Sequence, residues 1–94
     1  MPVYIMLSTL TSEGLETIKD KPDRITEVSD ELKAMGVTVK NQWAVLGEYD
    51  FVNVVEAPDN ETVARASVEI GSRGSVSMVT MPAIPVDKFI ASLK

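Results

Sequence analysis

Val45-Leu46-Gly47-Glu48-Tyr49-Asp50-Phe51-Val52 holds a chain reversal. Strand-type residues enter it from Val37 and leave it towards Ala57. A two-residue hairpin loop of the II′ kind needs positive φ at its first central position, a conformation glycine adopts without steric penalty. Gly47-Glu48 therefore predicts a hairpin in which Leu46 faces Tyr49 and Val45 faces Asp50. One face then carries Val39, Asn41, Trp43, Val45, Asp50, Val52, Val54 and Glu56. The other carries Lys40, Gln42, Ala44, Leu46, Tyr49, Phe51, Asn53 and Val55. Neither face is cleanly polar, and a change of loop length would alter which residues meet across the hairpin.

The segments on either side complete a pattern. Residues 3–10 alternate Val3, Ile5 and Leu7 with Tyr4, Met6 and Leu10, so both faces are apolar and the strand reads as central. Thr11-Ser12-Glu13 offers a helix N-cap with an early acid, and predicts a short helix near 12–20. Pro22 breaks that stripe; Ile25, Val28, Leu32 and Met35 resume it, predicting a longer helix near 22–35. Gly36 follows in the position that ends helices with positive φ. Past the hairpin, Asp59 is a candidate N-cap for a helix carrying Val63, Ala66, Ser67 and Ile70. Gly71-Ser72-Arg73-Gly74 closes it. Val76, Met78 and Thr80 alternate with Ser77, Val79 and Met81 in a fourth strand expected to stop at Pro82. Pro85 to Leu93 reads as a short closing helix anchored by Phe89 and Ile90.

Strand, helix, strand, strand, helix, strand is the ferredoxin-like βαββαβ order, an α+β sandwich with a four-stranded antiparallel sheet. The helices cover one sheet face. The other needs a cover too, and a second copy of the same sheet is the simplest one. Tyr4, Met6 and Phe51 are the large groups expected to meet that neighbour.

Composition narrows the function. The 94 residues make one domain, 1–94, with formal net charge −5. That balance argues against a nucleic-acid partner and against anionic membranes, both of which call for clustered Lys and Arg. The chain has no cysteine and no histidine. Disulfides and thiolate nucleophiles are excluded, and the commonest general base and transition-metal ligand is missing. No dense carboxylate cluster of the calcium-loop type appears, so neither metal nor cofactor is expected. The apolar start, residues 1–8, lacks a basic leader region and is too short to span a bilayer; a cytoplasmic protein is expected.

The chain resembles the GYD-domain proteins, small bacterial and archaeal members of the dimeric α/β-barrel group. The matching pieces are Val3-Tyr4-Ile5, Thr11 with Gly14, Ile18-Lys19, Pro22, Arg24, Gly36, Trp43, Leu46-Gly47-Glu48-Tyr49-Asp50, Val55-Glu56-Ala57-Pro58-Asp59, and Gly71 with Gly74. Ser75-Val76-Ser77-Met78 departs from the usual family strand. The resemblance implies the fold and self-association, and no particular activity. Relatives in the wider barrel group bind ligands between helices and sheet.

Six residues are candidates for ligand binding: Asn41, Trp43, Tyr49, Asp50, Lys19 and Arg24. Asp50 beside Trp43 and Asn41 could line a small-molecule pocket. Against that, an aspartate readily accepts backbone N–H groups at a turn, a lone tryptophan more often packs a core or interface, and Tyr49 suits a subunit contact. Lys19 and Arg24 flank the Pro22 break and could hold an anion; as solvated or surface-paired charges they need no such role. Gly71-Ser72-Arg73-Gly74 looks like a phosphate loop but follows its helix, so it offers carbonyls where a phosphate needs N–H donors. The expected function is a self-associating module that binds a small molecule between helices and sheet. The alternative is a cofactor-independent enzyme of the barrel group, an oxygenase or isomerase. A cavity lined by Asn41, Trp43 and Asp50 would favour that alternative.

Overall fold

A computed structural model describes residues 1–94. The elements run β1 (Val3–Leu10), α1 (Ser12–Asp20), α2 (Arg24–Ala34), β2 (Thr38–Ala44), β3 (Phe51–Glu56), α3 (Asn60–Gly71), β4 (Val76–Ala83) and α4 (Val86–Ser92). The four strands form one antiparallel sheet in the order β2-β3-β1-β4, the ferredoxin-like arrangement.

The local signals explain the boundaries. Thr11 caps α1: its Oγ1 accepts the Gly14 N–H at 3.2 Å. Asp59 caps α3, accepting both the N–H and the hydroxyl of Thr62. At the end of α2, Gly36 has φ +91°, its N–H donates to the Lys33 carbonyl, and the Val37 N–H donates to the Leu32 carbonyl at 2.9 Å. That pair of bonds is the Schellman motif, and the two side chains beside it, Leu32 and Val37, are both buried. Pro22 lies in the turn before α2, which starts two residues later than Pro22 alone suggests.

The core lies between the helices and one sheet face. Tyr4 and Met6 from β1, Val55 from β3, Leu32 from α2, and Val63, Ala66 and Ile70 from α3 form it, together with Val37 and Ala57. The small side chain of Ala66 brings α3 close to β4, where the Ser67 and Thr80 hydroxyls hydrogen-bond at 2.8 Å. The Tyr4 hydroxyl reaches past the core to donate to Asn60 Oδ1 at 2.7 Å. Burial, and the Asp59 and Glu61 carboxylates nearby, hold its pKa above the ordinary 10.

Five expectations are corrected here. Tyr4 and Met6 pack under the helices, and Phe51 faces the same side; the open face carries Val3, Ile5, Leu7, Val52 and Val54 in their place. The hairpin keeps the expected register, with Ala44 opposite Phe51 and the Val45 N–H donating to the Asp50 carbonyl at 2.9 Å. The ladder ends there, however, so Leu46 and Tyr49 do not pair and the loop spans four residues. Loops of two and of four residues leave the same partners opposite each other, which is why the register survives. A bulge at Lys40 sets Val39 opposite Val55, on the helix side, and away from Asn41. β4 continues through Pro82 to Ala83, because β4 is an edge strand and an edge strand tolerates a residue without an N–H. Finally, α4 forms but buries none of its residues, so Phe89 and Ile90 do not anchor it to its own chain.

Candidate functional site

The open sheet face is the first feature that stands out. Val3, Ile5 and Leu7 of β1 lie between Val52 and Val54 of β3 and Val79 and Met81 of β4. Trp43 of β2, opposite Val52, extends the patch and is 51% exposed. Contiguous apolar surface of this kind marks an interaction face on a soluble protein. In α4, Val86, Phe89 and Ile90 are exposed as well, with Ile84 just before them and Leu93 just after. The Cα radius of gyration is 14.1 Å, above the value of about 12 Å for a compact chain of this length. The chain is elongated, 51 Å in its longest dimension, and α4 buries none of its residues.

On the helix side, a cavity of about 250 Å³ lies between the sheet and helices α1 and α2. Ser8, Phe51 and Asn53 form its floor, and Ile18, Ile25 and Val28 its roof. Gly14 lets α1 approach the chain leading into β4: a Cβ there would sit 2.0 Å from the Ser75 carbonyl oxygen. Thr11 fastens the same junction, its N–H donating to the Ser75 carbonyl and its hydroxyl to the Gly74 carbonyl.

Arg24 and Arg73 line both this cavity and a hollow on the surface beside Glu31, so they stand between the cavity and solvent. Both donate to the Glu31 carboxylate, Arg24 at 2.7 Å; Arg24 also reaches Glu27, and Arg73 reaches Glu69. The Arg73 and Arg24 hydrogen bonds hold the Glu31 carboxyl below its ordinary pKa of 4.5.

The six candidate residues are dispersed. Asn41 and Trp43 lie on the open face. Lys19 is exposed on α1, and Tyr49 is half-buried in the hairpin loop. The Asp50 carboxylate accepts the Leu10 N–H at 2.7 Å, tying the hairpin to the end of β1. Of the six, only Arg24 lines the cavity. The pocket of Asn41, Trp43 and Asp50 that would favour an oxygenase or isomerase is not formed within one chain. The cavity residues Ser8, Asn53 and Gln42 were missed; the signal available for them was three polar residues on strand positions that point toward the helices. No helix is long and apolar enough to cross a membrane.

The chain matches the GYD domain over residues 4–93, nearly its whole length. It is a member of the GYD-domain family. A relative from Thermus thermophilus, the "Glutamine synthetase and cystathionine beta-lyase binding protein", is 58% identical over 95 residues, covering all of both chains. Among solved structures, FFRP-DM1 superposes with a TM-score of 0.59 at 27% identity, over 89% of this chain and all of that one. The hypothetical protein PHS023 from Pyrococcus horikoshii gives 0.57 at 26% identity, over 90% and 92%. In this GYD protein the hairpin that carries the Gly-x-Tyr-Asp stretch is thus a structural joint: Gly47 turns the chain at φ +124° and Asp50 binds β1.

Proposed function

We propose that this GYD protein is a self-associating binding module that docks on metabolic enzymes. The full-length, 58% identical relative named for binding glutamine synthetase and cystathionine beta-lyase is the observation that carries the reading. The surface supports it, since most of the large apolar side chains left exposed lie on one sheet face and on α4 with the residues that flank it. A cytoplasmic setting goes with such partners and with a chain free of cysteine.

Self-association uses the open face. Four strands at about 4.8 Å spacing, seven residues long at about 3.3 Å each, cover about 450 Å² in plan. A standard interface buries about 800 Å² per partner. Sheet on sheet supplies much of that surface, and α4, laid against the second copy, adds to it. Gel filtration with light scattering tests this part: a dimer or larger assembly is expected, and a stable monomer at micromolar concentration would overturn it.

Docking is tested by titrating the protein over immobilised glutamine synthetase and cystathionine beta-lyase from the same organism. Saturable binding to at least one, with a Kd on the order of 1 µM or tighter, is the expected result. Failure to bind either enzyme would remove the reading.

A further inference from the structure

The chain has three arginines, Arg24, Arg65 and Arg73, and all three line one surface hollow beside α2 and α3. Glu31 and Glu69 are the acids among its seven lining residues. Three arginines against two glutamates leave the lining an excess of one positive charge, on a chain of net charge −5. The arginines are not equivalent. Arg24 is bonded to Glu27 and Glu31, and Arg73 to Glu31 and Glu69. Arg65 pairs with no carboxylate. The nearby Asp59 feels its charge but bonds Thr62 instead. Arg65 is exposed on α3, and Val68, on the same side of that helix, is 71% exposed. The hollow lies on the helix side of the sheet, so it stays uncovered when the open faces of two copies meet.

From these observations we infer that an enzyme partner docks on this hollow, presenting an Asp or Glu carboxylate to Arg65 beside an apolar side chain that packs on Val68. The inference rests on the enzyme-docking reading above and adds where the contact is made. A guanidinium holds a carboxylate through two parallel N–H···O bonds, and arginine is enriched in protein interfaces where lysine is depleted. Glu31 ties Arg24 and Arg73 down, so the positive charge a partner can recruit is that of Arg65. A small-molecule site encloses most of its ligand, whereas Arg65 and Glu69 at this rim are exposed to solvent. One unpaired arginine on an acidic chain is also too little for a nucleic-acid backbone. A protein surface that matches one charge and one apolar side chain is the partner that fits.

Arg65→Glu is titrated beside the parent over the two immobilised enzymes named above, at low and at high salt. The parent is expected to bind at least one of them, and Arg65→Glu to bind it at least about tenfold more weakly. Raised salt is expected to weaken the parent more than the variant, because the ion pair is what salt screens. Arg65→Lys keeps the charge and loses the paired geometry, so an intermediate affinity is expected. Val68→Glu, which offers Arg65 a carboxylate from its own helix, is expected to weaken binding as well. Arg65 and Val68 are exposed, so the variants are expected to keep the parent's melting temperature and its oligomeric state on gel filtration. Undiminished enzyme binding by Arg65→Glu would overturn this surface and leave the docking reading standing. Binding of neither enzyme by the parent would remove both. A changed oligomeric state in Arg65→Glu would put a second copy of the chain in the hollow and overturn the inference.

Discussion

The Asp50 carboxylate accepts the backbone N–H of Leu10 across 2.7 Å, joining the loop between β2 and β3 to the last residue of β1. The Asp50 N–H donates to the Ser8 carbonyl at 2.8 Å, so side chain and backbone grip the same strand end. The Leu10 N–H is part-buried and has no other carboxylate to meet. Asp50→Ala is expected to cost about 1.5–3 kcal/mol, the range for a hydrogen bond to a charged group. Asp50→Asn keeps an acceptor oxygen and is expected to cost less. Urea denaturation of the two variants separates these outcomes; equal stability of Asp50→Ala and the parent would show that the bond is not holding the joint.

Gly14 allows a contact that no other residue permits. Its neighbour is the Ser75 carbonyl, a backbone group that cannot swing aside as a long side chain would. Gly14→Ala is expected to destabilise by about 1–3 kcal/mol or more through overpacking, despite the better helix propensity of alanine. The check is a thermal melt, in which a gain in stability would contradict the close approach.

Trp43 separates chain stability from self-association. It is half-exposed in one chain, so Trp43→Ala is expected to leave the fold of a dilute monomer nearly unchanged. Where a second copy covers the open face, a tryptophan buried by it carries a large share of the contact. Its loss is then expected to cost about 2 kcal/mol or more of association free energy. Sedimentation equilibrium reads that term. Phe89→Ser in α4 is expected to weaken association in the same way.

The Glu31 carboxyl, held below its ordinary pKa by Arg73 and Arg24, sets an acid limit. The folded chain keeps Glu31 ionised at pH values where the unfolded chain has begun to protonate it. The stabilisation is therefore fully present above the ordinary 4.5 and is lost as pH falls below that through the folded value. Asp59, whose pKa is lowered by its hydrogen bonds from the Thr62 hydroxyl and N–H, acts in the same direction. Glu31→Gln is expected to flatten the fall in melting temperature between pH 5 and pH 3, about the range where carboxylates titrate. An unchanged slope would mean that the Arg24–Glu31–Arg73 bridge adds nothing to folding. The three side chains are each about one-third exposed, so solvent screens the effect and it is expected to be modest.

Much of the architecture followed from residues acting on their own neighbours in the chain. Thr11 and Asp59 cap their helices, Gly36 ends α2 with positive φ, and the alternation in residues 3–10 makes a two-sided central strand. Gly47 turns the hairpin and keeps its register, even though the loop opens from two residues to four. These signals are local, so one chain of letters contains them. It also contained the family, because the spacing of Gly-x-Tyr-Asp and Glu-Ala-Pro-Asp is preserved along the chain.

What distant segments do to one another was not legible. The Lys40 bulge moved Val39 to the helix side, so the pattern read across the hairpin failed at one step. Which apolar row of β1 lies under the helices was undecided by a strand that is greasy on both sides; the crossing of α3 over Tyr4 and Met6 settled it. Gly14 matters only because Ser75, sixty-one positions later, comes within reach of it. Asn53 and Ser8 came to floor a cavity because helices α1 and α2 do not fill the space above them. Caps and turns depend on torsions within a few residues, whereas bulges, close approaches and cavities depend on where the rest of the chain comes to lie.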